Sequence, residues 1–196
     1  MKKRGIYKIR DEFFSDFPDP YLKTNKNENR PCYYCLMEQS TGLLWMIPLS
    51  KQIDKYKAII KNKLKNKKPC DILHVAKLDD GRESAFLIQD MFPTIESYIA
   101  GEYTINGTIL AVTSDALASV LERKAKTVLL LIRKGVRFLN TQPNVLSIEK
   151  DLLVLLSKER RKVNFHGKIL TIRRTKNSIR LRNCNGHPAR GSHGRK

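Results

Sequence analysis

The sequence predicts a mixed α+β protein of one domain with a basic C-terminal extension. Strand-like segments rich in aromatic and β-branched residues are interspersed with segments of helical periodicity, which favours a mixed fold. The chain has 196 residues, of which 41% are hydrophobic, enough for one core plus an appendage. We therefore assign residues 1–156 to the domain and 157–196 to an extension that is expected to be partly disordered.

Periodicity and turn residues assign the elements. A helix is predicted from 52 to 68, where apolar residues recur three or four positions apart, and Pro69 is expected to end it. A second helix is predicted from 113 toward 139, because Thr113-Ser114-Asp115 combines hydroxyls with an acid at its start. Strands are predicted at 5–9, 32–38, 43–47, 70–76, 83–89 and 103–110, the last broken by Asn106-Gly107.

Charge indicates the kind of partner. There are 38 lysines and arginines against 19 acidic residues, and the formal net charge is +19. This points to a polyanion, with nucleic acid first and an anionic membrane surface second. The charge is clustered, which argues against lysines that only solubilise the protein, although a solvated helix face remains an alternative for one cluster. That cluster, opposed only by Asp54, consists of Lys51, Lys55, Lys57, Lys61, Lys63, Lys65, Lys67 and Lys68.

Targeting signals are not evident in the sequence. No segment reaches the roughly 20 apolar residues of a membrane span. The N-terminal stretch MKKRGIYKIRDEFF has a basic start but no apolar region that would make it a secretory signal. A cytoplasmic protein without a membrane partner is therefore expected.

The four cysteines include one C-x-x-C pair, Cys32 and Cys35. This spacing is typical of metal and redox sites, but here it falls in a predicted strand, where residues three apart point to opposite faces. Cys70 and His74 have weak spacing for a second ligand pair. We interpret the cysteines as structural.

The junction at Ser50 is the first candidate site. The apolar run of 45–49 ends at Ser50 and Lys51, and the lysine-rich helix begins directly afterwards. A helix start offers free backbone N–H groups to an anion, and a hydroxyl and an ammonium would add to them. This combination suits a scissile phosphate; the alternative is that Ser50 merely caps the helix.

Other candidates surround this junction. Arg30 is able to clamp a phosphate with two hydrogen bonds, and Lys23 and Lys26 lie in the same polar loop. The residues His74, His166, His187 and His193 show no useful pairing, and no carboxylate cluster suggests a two-metal nuclease. Cleavage of RNA by its own 2′-hydroxyl needs neither metal nor histidine pair, because lysine, arginine and serine suffice to stabilise the phosphate charge. Exposed aromatic residues could stack bases, although most are expected in the core: Tyr7, Phe13, Phe14, Tyr21, Tyr33 and Tyr34.

Two stretches resemble a known family. They are WMIPLSKQIDKYK at 45–57 and FLIQDMFP at 86–93, and together they are similar to the ToxN/AbiQ-like endoribonuclease toxins of type III toxin–antitoxin systems. The loop FPDPYLKTNK at 17–26, continuing through Arg30-Pro31, resembles the CptN branch of that family. The resemblance is distributed over about residues 1–150 and leaves the tail without a counterpart.

The resemblance implies a fold, an activity and a partner. The fold would be an SH3-like β-barrel of the Kid/MazF/CcdB kind, elaborated by helices. The activity would be a metal-independent, cofactor-free endoribonuclease that leaves 2′,3′-cyclic phosphate ends on messenger, phage and antitoxin RNA. The partner would be a pseudoknot cut from a repetitive antitoxin RNA, which inhibits the toxin in a closed assembly of several protein copies. The role would be growth arrest or abortive infection.

The resemblance also implies site residues. Ser50 matches the first hydroxyl of the family motif, while Lys51 stands where a second hydroxyl is usual, so Lys51 or Lys55 would carry the basic role. Tyr7 or Phe13 is the nearest match to an aromatic residue that lines the site in the family. Our own hypothesis is that Ser50 and Lys51 hold the scissile phosphate and that Arg30 and Lys55 neutralise it. RNA-backbone contacts are assigned to Lys23, Lys26, Lys57 and Lys61. A non-catalytic RNA- or DNA-binding module is the alternative function, and a membrane-surface protein is a third.

Overall fold

The structure, a computed structural model, describes residues 1–22, 25 and 27–159. The helices are α1 (Asp11–Asp16), α2 (Ile53–Lys65), α3 (Asp115–Arg133) and α4 (145–159), with 3₁₀ turns at Ile88–Asp90 and Glu96–Tyr98. The strands are β1 (Ile6–Ile9), β2 (Cys32–Met37), β3 (Leu44–Ser50), β4 (His74–Lys77), β5 (Glu83–Phe86), β6 (Phe92–Thr94), β7 (Ile99–Glu102), β8 (Thr104–Ile105) and β9 (Thr108–Ile109).

The main sheet is antiparallel and has β3 near its centre. Its strand order is β4-β5-β3-β2-β1-β7, and β6 pairs with the first half of β3 while β5 pairs with its last residues. The predicted α+β class is confirmed. The implied closed barrel is not formed by the described strands, because β4 and β7 lie at opposite edges of this order.

Strand β3 is longer than the sequence predicts. The predicted strand ended at Ile47 because proline usually interrupts a strand, yet β3 continues through Pro48 to Ser50. Pro48 pairs opposite Cys32, and its carbonyl accepts a hydrogen bond from the Leu87 N–H at 3.0 Å. The strand thus satisfies its remaining backbone group and carries Ser50 to its very end.

Helix α3 begins where the sequence predicts. The Ser114 hydroxyl accepts from the Leu117 N–H at 3.3 Å, which caps the first turn. The helix ends at Arg133 rather than near Leu139, since Gly135 takes the left-handed conformation (φ 84°). The Gly135 and Val136 N–H groups then bond back to the last turn, a Schellman arrangement.

Helix α2 ends in the same way before its proline. The Lys67 backbone is left-handed (φ 52°), and the Lys68 N–H donates to the Lys63 carbonyl at 3.0 Å. The predicted stop at Pro69 is therefore wrong by one turn, because a non-glycine residue at this position gives no sequence signal.

The core lies between the sheet and α3. Buried residues recur on one face of α3 at helical spacing, and this face packs against β2. Below the other end of the sheet, Phe13 stands in an aromatic cluster with Phe14, Phe17, Phe92 and Tyr98, with ring centroids 5.2–5.5 Å from Phe13. As expected, most of the candidate aromatic residues are buried: Tyr7, Phe13, Tyr33 and Tyr34.

Several short elements escaped the sequence analysis. Strand β4 starts at His74 instead of Cys70, and the segment 83–89 divides into β5 and a 3₁₀ turn. The predicted strand 103–110 is the hairpin of β8 and β9, turned by Asn106 and Gly107 with positive φ. Elements α1, β6, β7 and α4 had no clear periodicity.

The predicted extension, 157–196, lies largely outside the residues that the structure describes. Residues 1–153 form one unit by their contacts, and the helix that begins at 145 continues to 159. The predicted basic tail beyond 159 lies outside the described residues, and the boundary at 156 stays a prediction. Among the described helices, each is too short or too polar to span a bilayer.

Cys32 and Cys35 are free thiols in the core, each 1% exposed. Burial raises the pKa of both thiols to about 12. Because the thiolate is the reactive form, we expect neither cysteine to be alkylated by iodoacetamide in the native protein at about pH 8, and both to react after denaturation. Peptide mapping by mass spectrometry measures each site; rapid native labelling of either would contradict a buried position.

Candidate active-site cleft

A cleft of about 1050 Å³ opens where β3 ends and α2 begins. One wall is made by the end of β3, the first turn of α2 and the loop before β2. The facing wall is made by the β4–β5 turn and the hairpin of β8 and β9. Its charged lining residues are Arg30, Lys51, Lys55, Asp80, Arg82 and Glu83.

The four residues predicted to be catalytic all line this cleft. Ser50 is the last residue of β3, Lys51 follows it, Lys55 lies in the first turns of α2, and Arg30 comes from the loop before β2. Residues from two separate segments of the chain, the loop at Arg30 and the junction at 50–55, therefore meet at one place. Their catalytic roles stay a prediction.

Ser50 does not cap helix α2. The N-cap residue is Gln52, which makes no side-chain cap bond, and the Ser50 Oγ accepts from the Gln52 N–H at 3.3 Å in a local turn. Accepting this bond leaves the Ser50 hydroxyl hydrogen available as a donor. The hydroxyl is half-buried at the cleft, whereas Lys51 and Lys55 are exposed.

Arg30 is positioned by a buried asparagine. The Asn25 side-chain amide donates to the Ile9 carbonyl at 2.6 Å and to the Asp11 carboxylate at 2.7 Å. The backbone carbonyl of Asn25 accepts from the backbone N–H of Arg30 at 3.1 Å. The loop is thereby tied to the start of α1, and this sets where Arg30 enters the cleft. Arg30 also lines a small pocket that contains the buried Asp90.

The cleft is net positive. Its two acidic side chains are paired with cations, Asp80 with Arg82 and Glu83 with Lys57 at 2.7 Å. The Arg82 backbone N–H and its guanidinium hold the pKa of Asp80 below its usual value, so this carboxylate is ionised at neutral pH. Four basic against two acidic lining residues leave an excess of positive charge for an anionic ligand.

The predicted RNA-contacting lysines lie elsewhere or outside the description. Lys57 and Lys61 line a neighbouring groove of about 630 Å³ on the other side of α2, together with Lys124. Lys23 and Lys26 lie outside the described residues.

The structure does not bring Tyr7 to the cleft. Its side chain is 3% exposed, and its hydroxyl donates to the Lys2 carbonyl at 3.0 Å and accepts from the Lys2 N–H at 2.8 Å. Tyr7 borders a different pocket beside Glu96. Because the ring is covered by protein, it offers no face for a base; Phe13, the other aromatic candidate, is fully buried.

The facing wall of the cleft has no local signal in the sequence. Asp80 and Arg82 lie between the predicted strands 70–76 and 83–89, and Tyr103 begins the predicted strand 103–110, with no sign in the sequence that they share a cleft. The turn reaches the cleft because β5 pairs beside the end of β3, with Ala85 opposite Ser50. Only the pairing of β5 with β3 shows that the turn lies at the cleft.

The fold is shared with an anti-phage protein of a toxin–antitoxin system. One matching solved structure is that of AbiQ, described as a lactococcal anti-phage endoribonuclease belonging to the type-III toxin–antitoxin system. The match has a TM-score of 0.59 and 14% sequence identity, and it covers 80% of this chain and 99% of the AbiQ chain. It supports the ToxN/AbiQ-like family at the level of the fold. No protein-family model and no curated protein matches the sequence.

Proposed function

We propose that this protein is the toxin of a type III toxin–antitoxin system, an endoribonuclease that cuts single-stranded RNA without a metal ion or other cofactor. The observation that carries the proposal is the cleft at the end of β3, where a serine hydroxyl lies among lysines and arginines in an AbiQ-like fold. The substrates are messenger and phage RNA and the toxin's own antitoxin repeat RNA.

The chemistry follows from this set of side chains. The 2′-oxygen of the RNA attacks the adjacent phosphorus, the bond from phosphorus to the 5′-oxygen breaks, and a 2′,3′-cyclic phosphate and a 5′-hydroxyl remain. The 2′-hydroxyl releases its proton to solvent water, and the 5′-oxygen takes one from a lysine ammonium that solvent then re-protonates, so protons balance without a co-reactant. The protein has to align the RNA backbone for in-line attack and stabilise the charge on the pentavalent phosphate.

Each cleft residue has a role in this step. The Ser50 hydroxyl donates its hydrogen to a non-bridging phosphate oxygen, while the Gln52 N–H bonds to one of its lone pairs. Arg30 binds the phosphate charge from the loop side. The ammonium of Lys51 or Lys55 stabilises the developing charge and donates a proton toward the 5′-oxygen. Lys57 and Lys61 then hold RNA that leaves the cleft along α2.

The wider system is proposed on the family resemblance. The processed antitoxin RNA, a pseudoknot, inhibits the toxin, and several protein copies assemble through that RNA in the cytoplasm. The loop at 17–31 supports the CptN branch. The biological outcome is growth arrest or abortive infection of phage-infected cells.

A non-catalytic RNA- or DNA-binding module is the second candidate. It is favoured by one observation: Lys51 occupies the place of a second hydroxyl in the family motif. Such a module would bind with strong salt dependence and give no cut products.

We expect the purified protein to cut RNA into discrete fragments in EDTA. The substrates are a long unstructured RNA and RNA transcribed from repeats upstream of its gene. Because the 2′-hydroxyl is the nucleophile, the fragments should end in 2′,3′-cyclic phosphate, which mass spectrometry identifies. A single strand of the same sequence with 2′-deoxyribose should stay intact. Binding without fragments would reject the nuclease in favour of the binding module.

A further inference from the structure

Arg82 is held at the cleft by its own turn. The Arg82 Nε and Nη2 contact the Asp80 Oδ2 at 2.7 and 2.5 Å, and the Arg82 N–H donates to the Asp80 Oδ1 at 3.0 Å. Asp80 therefore takes one edge of the guanidinium fork. Among the described residues no contact occupies Nη1, and half of the side chain is exposed (50%). An anion in the cleft would find the other edge of the fork available.

The turn that carries Arg82 is fixed to the body of the protein. The Asp79 carboxylate accepts from the Thr113 hydroxyl at 2.8 Å and from the Thr113 N–H at 3.3 Å. The Leu78 N–H bonds to the Arg82 carbonyl at 2.8 Å across the turn. The guanidinium is thus presented from a braced support, which reduces the entropy lost when it binds a ligand.

The position of this turn is set by strand pairing. Strand β5 follows the turn directly and pairs with the end of β3, where Ala85 lies opposite Ser50. Arg82 is three residues before Ala85 in the sequence, and Arg82 and Ser50 both line the cleft. Tyr103, half-buried, lines the same cleft from the β7–β8 connection.

We propose that Arg82 and Tyr103 form a nucleotide subsite for the residue next to the scissile phosphate. Arg82 binds the neighbouring phosphate through the free edge of its guanidinium, and Tyr103 stacks on the adjoining base. An unpaired base is required for stacking, so this wall selects single-stranded RNA. The subsite rests on the proposed function, because it is defined relative to the phosphate at Ser50.

Binding of a single-stranded 2′-O-methyl RNA, which cannot be cut, tests the subsite separately from catalysis. Affinity is measured over a series of salt concentrations. Arg82→Ala is expected to weaken binding about tenfold and to reduce the slope of log K against log salt by about 0.7, the value for one phosphate contact on a single strand. Tyr103→Leu should weaken binding several-fold, whereas Tyr103→Phe, which keeps the ring, should not.

The matched control is Arg123→Ala. Arg123 is also an arginine paired with an aspartate, Asp71 at 3.7 Å, but it is 64% exposed on α3 and does not line the cleft. Removing it changes the net charge equally and should alter affinity less than about twofold. Equal effects of the Arg82 and Arg123 variants, or no binding by the wild type, would overturn the subsite. If the wild type binds but does not cut natural RNA, the proposed nuclease fails and the binding comparison still decides for or against Arg82.

Discussion

Replacing Ser50 by alanine is expected to reduce RNA cleavage by about 10²–10³-fold, the usual effect of removing one donor to a developing oxyanion. The hydroxyl lies at the end of β3, where the Gln52 N–H bonds to its oxygen and its hydrogen is available to the phosphate. The effect should fall on kcat rather than on RNA affinity, because the donor matters most when charge develops on the phosphate. Single-turnover rates in EDTA, with wild-type protein as reference, measure it.

Ser84→Ala is the matched control for this experiment. Ser84 lies on β5, the next strand of the sheet, and also borders the cleft, but it is not at the strand end where α2 begins. Its variant should cut at nearly the wild-type rate, and both variants should unfold at the wild-type denaturant concentration. In cells, Ser50→Ala should no longer arrest growth. Full toxicity of that variant would remove Ser50 from the mechanism.

Local chemistry explains what the sequence could predict. Helix α2 and helix α3 were found because their apolar residues repeat at helical spacing, and Ser114 was found because hydroxyl caps are local. The end of β3 was misplaced because the exception for Pro48 depends on its partners Cys32 and Leu87, which are distant in the sequence.

In the candidate site, too, the features set by neighbouring residues could be predicted and those set by distant residues could not. Ser50, Lys51 and Lys55 are neighbours in the sequence, so their proximity followed from a single strand-to-helix junction. The sequence does not show that Tyr7 lies away from the cleft, because an aromatic residue in a strand can face either side of the sheet and only the packing decides which. Arg82 was missed because pairing of β5 with β3 alone brings its turn to the serine.

Strand β3 joins the core to the cleft, and its buried end predicts the second large effect. Trp45 is 0% exposed and lies opposite Pro93 of β6 in the sheet, and the Arg133 guanidinium is 5.7 Å from the centroid of its ring. Arg133 also contacts the carboxylates of Glu38 and Glu149. Trp45→Ala is therefore expected to cost about 3–5 kcal/mol of the free energy of unfolding, through the cavity and the lost contact with Arg133.

Trp45→Phe distinguishes the contribution of the aromatic ring from that of the indole N–H, because phenylalanine keeps a ring and lacks the N–H. The Trp45 Nε1 is buried and has no hydrogen-bond partner among the described residues, so removing it breaks no bond. The cost should then be limited to the smaller ring, about 1–2 kcal/mol, less than half that of alanine. Because Trp45 is the single tryptophan, circular dichroism rather than fluorescence has to follow the denaturant titration. Equal losses for both variants would mean that the N–H is bonded, while a stable Trp45→Ala protein would mean that β3 is not anchored by this ring. At the other end of the same strand, Ser50→Ala is expected to have the opposite effect: it should greatly reduce catalysis and leave the stability unchanged.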